Sequence, residues 1–172
     1  NRMVARSLLD DGLGTLLFDL LTDREEASDA RNRSLRFDIG FLAGRLLGAT
    51  EWIASQPRAR QVRLGYGVAS TVAAAALVAA AVRPGLVQAI VSRGGRPDLA
   101  GPYLLEVTAP TLLIVGGGDE TVLELNKLAL DRLACRPREL VVVPGATHLF
   151  EEPGALEQVA RLAGGWFSRY LV

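Results

Sequence analysis

The chain has 172 residues, of which 49% are hydrophobic and 22% charged, with 19 basic side chains against 19 acidic ones. That length suits one domain with a full core, and the composition excludes a disordered or collagen-like chain. A net charge of zero offers no electrostatic footprint for nucleic acid or an anionic membrane surface. Cys135, the single cysteine, excludes an internal disulfide and a thiolate metal centre, and it fits a reducing, cytoplasmic setting. The longest apolar run, Ala73 to Val82, is too short to span a bilayer, and the first residues lack the apolar segment of a signal peptide.

In chain order, apolar spacing predicts a helix from Asn1 to Asp11, stopped by Gly12. The chain opens already in helical periodicity, so further sequence is expected before it. Gly14 to Leu21 reads as a buried strand, and the polar stretch Thr22 to Arg36, with Arg31, Arg33 and Arg36, as a solvated surface loop. Phe37 to Ser55 is a long helix with Phe41, Leu42, Leu46, Ala49 and Ile53 on one face. A strand over Gln61 to Tyr66 leads to an alanine-rich helix over Thr71 to Val82. A strand over Val87 to Ser92 then precedes a loop rich in Gly and Pro from Arg93 to Pro110. Thr111 to Val115 is a strand, Thr121 to Leu133 a helix, Glu139 to Val143 a strand and Gly154 to Leu171 a closing helix.

Five strands alternating with helices, each strand a continuous apolar run, predict a doubly wound, mostly parallel sheet with helices on both faces. The whole chain, residues 1–172, reads as a single domain. Ligands of such sheets sit beyond the C-terminal strand ends, which directs attention to the residues after Tyr66, Ser92, Val115 and Val143.

Three chemically competent residues lie there. Ser70 follows a strand and opens a helix, where a hydroxyl stands off the sheet edge and the N–H of Thr71 can face a developing oxyanion. A serine at that place also serves as a simple helix N-cap. Asp119 follows the strand Leu112-Leu113-Ile114-Val115 through three glycines, where a carboxylate can orient an imidazole or merely cap the next helix. His148, the only histidine, follows the last strand through Pro144-Gly145-Ala146-Thr147 and is suited to shuttle a proton near neutral pH. The order Ser, Asp, His, each after its own strand, is that of the α/β-hydrolase triad.

On these residues the chain resembles the dienelactone-hydrolase-like α/β-hydrolases. Gly145-Ala146-Thr147-His148-Leu149-Phe150-Glu151-Glu152-Pro153 is similar to their histidine loop. Pro110 to Asp119 is similar to their acid-bearing strand and turn, and Val91 to Leu99 also resembles that group. The resemblance runs over nearly the whole chain. It implies a nucleophile at Ser70, a base at His148 and an acid at Asp119. Some members are fused to phosphoribosyltransferase domains, and none is visible in this sequence. The family's first strands, and the loop that carries its second oxyanion donor, are expected to lie before Asn1. Family namesakes use a cysteine nucleophile, whereas the serine here points to ester chemistry in general.

One departure stands at the nucleophile. The elbow pattern G-x-S-x-G is Val68-Ala69-Ser70-Thr71-Val72 here. A β-branched side chain at each glycine position adds bulk and restricts the backbone, so a displaced Ser70 is one expectation.

The resulting expectation is a serine hydrolase acting on a small carboxylic ester or lactone, with no metal and no organic cofactor. Arg93 and Arg96 are candidates to line its pocket, or are a solvated pair with local ion partners. No nucleic acid or membrane partner is expected, and a homo-oligomer is left open. Two alternatives remain. One is the same fold as a catalytically impaired scaffold or binding module. The other is an NADP-binding Rossmann-type domain, because Gly65-x-Gly67-x-x-Ser70 approximates the dinucleotide fingerprint and Arg93 ends the next strand.

Overall fold

In a computed structural model, which describes residues 1–59 and 61–172, the short apolar runs form a four-stranded parallel sheet. Its strands are β1 (Gly65–Ala69), β2 (Ala89–Arg93), β3 (Thr111–Gly116) and β4 (Arg138–Val143), in spatial order β1-β2-β3-β4. The helices are α1 (Arg2–Asp10), α2 (Asp23–Asn32), α3 (Ile39–Ser55), α4 (Val72–Val82), α5 (Glu120–Arg132) and α6 (Ala155–Leu171).

Two apolar layers sandwich the sheet. On one face Leu42 and Leu46 of α3 and Leu77 of α4 meet Ile90 and Leu113. On the other, Leu8 of α1 and Val159 and Phe167 of α6 meet Val91, Leu112 and Ile114. Residues Ala73 to Ala81 of α4 are all buried, which is why this helix is apolar all round. Its methyl side chains let α3 and the sheet approach closely. No helix among the described residues is long and apolar enough to cross a membrane.

Four expectations are corrected. The stretch Gly14 to Leu21 is not a strand: it is irregular, with Leu16, Leu17 and Phe18 about half exposed. A strand needs a partner for its backbone groups, and β1, the last strand on its side of the sheet, is paired only with β2. The segment is tied instead by Arg45 of α3, whose guanidinium donates to Leu20 O at 3.1 Å and grips Glu25.

The supposed loop Thr22 to Arg36 contains α2. Thr22 and Glu25 form a reciprocal capping box, and Asp29 ends the motif by accepting from the Leu35 and Arg36 amides. The loop after β2 likewise holds a kinked 3-10 stretch, Pro97–Leu105, broken by Gly101 at φ +56°.

The fourth correction moves the strand expected at Gln61 to Tyr66 to Gly65–Ala69. A Cβ at Gly65 would lie 2.8 Å from the Phe167 ring, so glycine is there to let α6 pack. This also removes the dinucleotide reading. Gly65 and Gly67 lie inside the strand, not in the turn where a fingerprint wraps a pyrophosphate.

Candidate active site

Asp119 and His148 meet across two neighbouring loops. The Asp119 turn follows β3 and the histidine loop follows β4, and His148 Nδ1 lies 2.6 Å from Asp119 Oδ2. An ionised carboxylate only accepts, so beside one a neutral imidazole in this geometry donates from Nδ1 and keeps its lone pair on Nε2. The other carboxylate oxygen of Asp119 accepts from Val122 N at 3.4 Å, capping α5. The cap and the imidazole-orienting role, alternatives in the sequence, are carried by different oxygens of one side chain.

Glycine explains how the two loops come so close. A Cβ at Gly116 would sit 2.3 Å from Ala146 O and 2.7 Å from Thr147 O. Gly117 N donates to Val143 O and Gly118 N to Ala146 O, both at 2.9 Å, so the two turns are joined by backbone hydrogen bonds. Gly94, at φ +52°, passes under the same loop, where a Cβ would meet His148 O at 3.1 Å.

Ser70 comes directly after β1, at φ +52°. The left-handed region costs a non-glycine residue about 1–2 kcal/mol, so the turn holds strain at this serine. The side chain is exposed, and neither Ser70 nor Thr71 caps α4 with its hydroxyl. The simple N-cap alternative is therefore not what this serine does. Thr71 N–H has no backbone acceptor among the described residues, while the Ser70 carbonyl accepts from Ala73 N and Arg96 N. The sharp turn is present despite the valines. Val68 packs toward the α3–α4 layer, and Val72 lines a cavity of about 190 Å3. Thr71, Leu20, Asp19 and Arg36 also border that cavity.

The two arginines are placed differently from one another. Arg96 donates from Nε and Nη2 to Asp98 at 2.9 and 2.7 Å, so its charge is locally balanced, and its backbone rather than its guanidinium reaches Ser70. Arg93 is half-buried below the histidine loop, with its guanidinium 6.0 Å from the Phe150 ring and 3.1 Å from Asn1 Oδ1. Burial lowers its pKa. Asn126 was overlooked in the sequence. It is buried on α5 and donates to Gly95 O at 2.9 Å, anchoring the loop that touches Ser70. Nothing in its surroundings along the chain marks it out. Gly116 carried a visible sign, as one of three consecutive glycines.

Comparison with known proteins sets this geometry in context. No family model matches the chain. Two curated Mycobacterium tuberculosis proteins, from strains CDC 1551 and H37Rv, are provisionally named phosphoribosyl transferases. They are 58% identical to it over 171 residues, 99% of this chain. The chain spans 38% of their length. A crystal structure of a dienelactone hydrolase from Anabaena variabilis matches with a TM-score of 0.96 and 57% identity, covering 100% of this chain and 79% of that one. A dienelactone hydrolase-like promiscuous phosphotriesterase from metagenomic libraries matches at a TM-score of 0.76 and 17% identity, over 99% and 80% of the two chains. The esterase domain of a Rhodothermus marinus protein matches at 0.69 and 20%, over 98% and 79%. At those identities the last two speak for the fold alone. The first, together with the parallel sheet and its helices, shows that this chain belongs to the dienelactone-hydrolase-like family of α/β-hydrolases.

Proposed function

We propose that the chain carries a serine-hydrolase site for a small carboxylic ester or lactone, with Ser70 as nucleophile, His148 as base and Asp119 as the group that orients it. The observation that carries this reading is the 2.6 Å contact of His148 Nδ1 with Asp119 Oδ2, on the same sheet edge as an uncapped serine in a left-handed turn.

In this mechanism Ser70 Oγ attacks the carbonyl carbon as its proton passes to His148 Nε2. The carbonyl π electrons move onto oxygen, where Thr71 N–H and the N-terminal end of α4 stabilise them. Collapse of the tetrahedral species breaks the C–O bond to the alcohol, which takes the proton from His148. Water then adds to the acyl-serine by the same route and releases the acid. The cavity beside Val72 and Thr71 is suited to hold the part of the substrate that does not react.

The transferase name of the mycobacterial relatives belongs, on this reading, to the part of those proteins that has no counterpart here. In this chain the region they match builds a parallel sheet, with Ser70, Asp119 and His148 after the ends of its strands. Val68 and Val72 favour a second reading, in which the fold is kept as a scaffold or binding module and the chemistry is lost.

One experiment divides them: hydrolysis of a short-chain aryl ester by the wild type and by Ser70→Ala. Hydrolysis by the wild type that falls at least about 1000-fold in the variant supports the serine mechanism. Equal rates in the two proteins contradict it.

A further inference from the structure

His148 is exposed, so packing does not hold its ring; the loop that bears it must be held in another way. On one side that loop is fastened by Gly118 N donating to Ala146 O. On the other side a single carboxylate oxygen does the work. Glu152 Oε1 accepts from Thr147 N at 3.0 Å and from the Thr147 hydroxyl at 2.5 Å. Thr147 is the residue immediately before the histidine. Between them the chain turns back through Phe150, a buried residue at φ +57°, whose N–H donates to Thr147 O at 3.2 Å. Glu152 O then accepts from Ala155 N at the start of α6, which ties the Glu152 backbone to a helix packed on the sheet. The second oxygen, Oε2, is shielded from solvent and has no hydrogen-bond partner among the described residues.

From this arrangement we infer that Glu152 is a positioning residue for the base: it clamps Thr147 from within the loop and so holds His148 in line with Asp119. The inference rests on the serine-hydrolase reading for its effect on turnover, but not for its effect on the imidazole. The aspartate selects the ring's rotamer and tautomer. The glutamate fixes the backbone from which the ring extends, and neither can replace the other.

The test uses the fact that His148 is the chain's only histidine, so its imidazole nitrogen signals in NMR need no assignment. The nitrogen shifts report which ring nitrogen carries the proton. Wild type is expected to show the Nδ1–H tautomer imposed by Asp119. Glu152→Ala is expected to shift toward the Nε2–H form that an unrestrained neutral imidazole prefers, and to lower kcat about 10- to 100-fold with KM changed less than threefold. Glu152→Gln, which keeps an acceptor for both Thr147 donors, is expected to restore the tautomer and most of kcat. Thr147→Val removes only the hydroxyl donor and should fall between wild type and Glu152→Ala. It also serves if Glu152→Ala does not fold. A merely structural glutamate would lower Tm and leave the tautomer and kcat of the folded protein at wild-type values. That result, or a Gln variant no better than Ala, overturns the inference. The tautomer is read without turnover, so equal ester hydrolysis by Ser70→Ala would sink the mechanism and leave the clamp to be judged on the nitrogen shifts.

Discussion

The two halves of the sheet edge are built on different terms. The Asp119–His148 half, at the ends of β3 and β4, is held by many contacts, from backbone and side chains together. Gly116 admits the histidine loop, Gly117 and Gly118 bond to it, and Asp119 and Glu152 grip its residues from either side. The Ser70 half, at the end of β1, has fewer ties: the Ser70 carbonyl accepts from Ala73 N and, at long range, from Arg96 N, and no side chain caps the turn. Valines stand on both flanks of its turn, and the neighbouring segment 14–21 leaves Leu16, Leu17 and Phe18 exposed. A geometry secured by backbone contacts tolerates few side chains and so shows in the sequence as glycine. A turn with fewer such close contacts tolerates more variation and is correspondingly harder to read.

The largest effect should come from Asp119→Asn. An amide can no longer both accept from Nδ1 and balance an imidazolium, and ester turnover should fall by roughly 10³- to 10⁴-fold with the protein still folded. A loss below tenfold would mean that the 2.6 Å contact is only a cap and loop tie. Next is Gly116→Ala. Its methyl would meet two loop carbonyls below 3 Å, forcing the histidine loop away from Asp119. Turnover should drop about 100-fold and stability by about 1–3 kcal/mol, read from a denaturant midpoint.

On the serine side the sign reverses. Val68→Gly with Val72→Gly should raise turnover by about tenfold, because the turn gains room, while lowering stability by about 1 kcal/mol per site. A drop in turnover would show that the valines are part of a working turn. Smaller again is Thr22→Ala, which dissolves the capping box of α2 and should cost about 1 kcal/mol of stability with turnover little changed.

The smallest effect is in the pH dependence. Thr147 holds Glu152, and Thr22 with Arg45 holds Glu25, below the ordinary carboxylate value of 4.5. A depressed pKa stabilises the fold above that value, and the contribution is lost as pH falls through the folded pKa. Tm should therefore decline on acidification below about pH 4.5, and less steeply in Glu152→Gln and Glu25→Gln.

How far the sequence could be read follows the same division. β3, α5, β4 and α6 lie within a residue of their expected bounds, since apolar runs and Gly or Pro punctuation agree there. β1 was expected three to four residues early, because Gly67 was placed beyond the strand and is in fact a strand residue, near Phe167 as Gly65 is. α2 was legible in Thr22-x-x-Glu25 and was masked by its polarity. The strand at Gly14 to Leu21 failed for a different reason. Its local pattern is sound, but strand formation depends on a partner that no local pattern reports. Among the site residues, Asp119 and His148 announce themselves by chemistry and by the glycines around them. Asn126 and the Glu152 contact do not, since each depends on where distant chain crosses.

The most direct test of the serine-hydrolase site is covalent. The folded protein is treated with a serine-reactive alkyl phosphonate, and the adduct is mapped by mass spectrometry beside the residual ester hydrolysis. An adduct confined to Ser70, formed in step with loss of hydrolysis and absent from His148→Ala, is the expected result. Ester hydrolysis that persists with no adduct at Ser70 would contradict it.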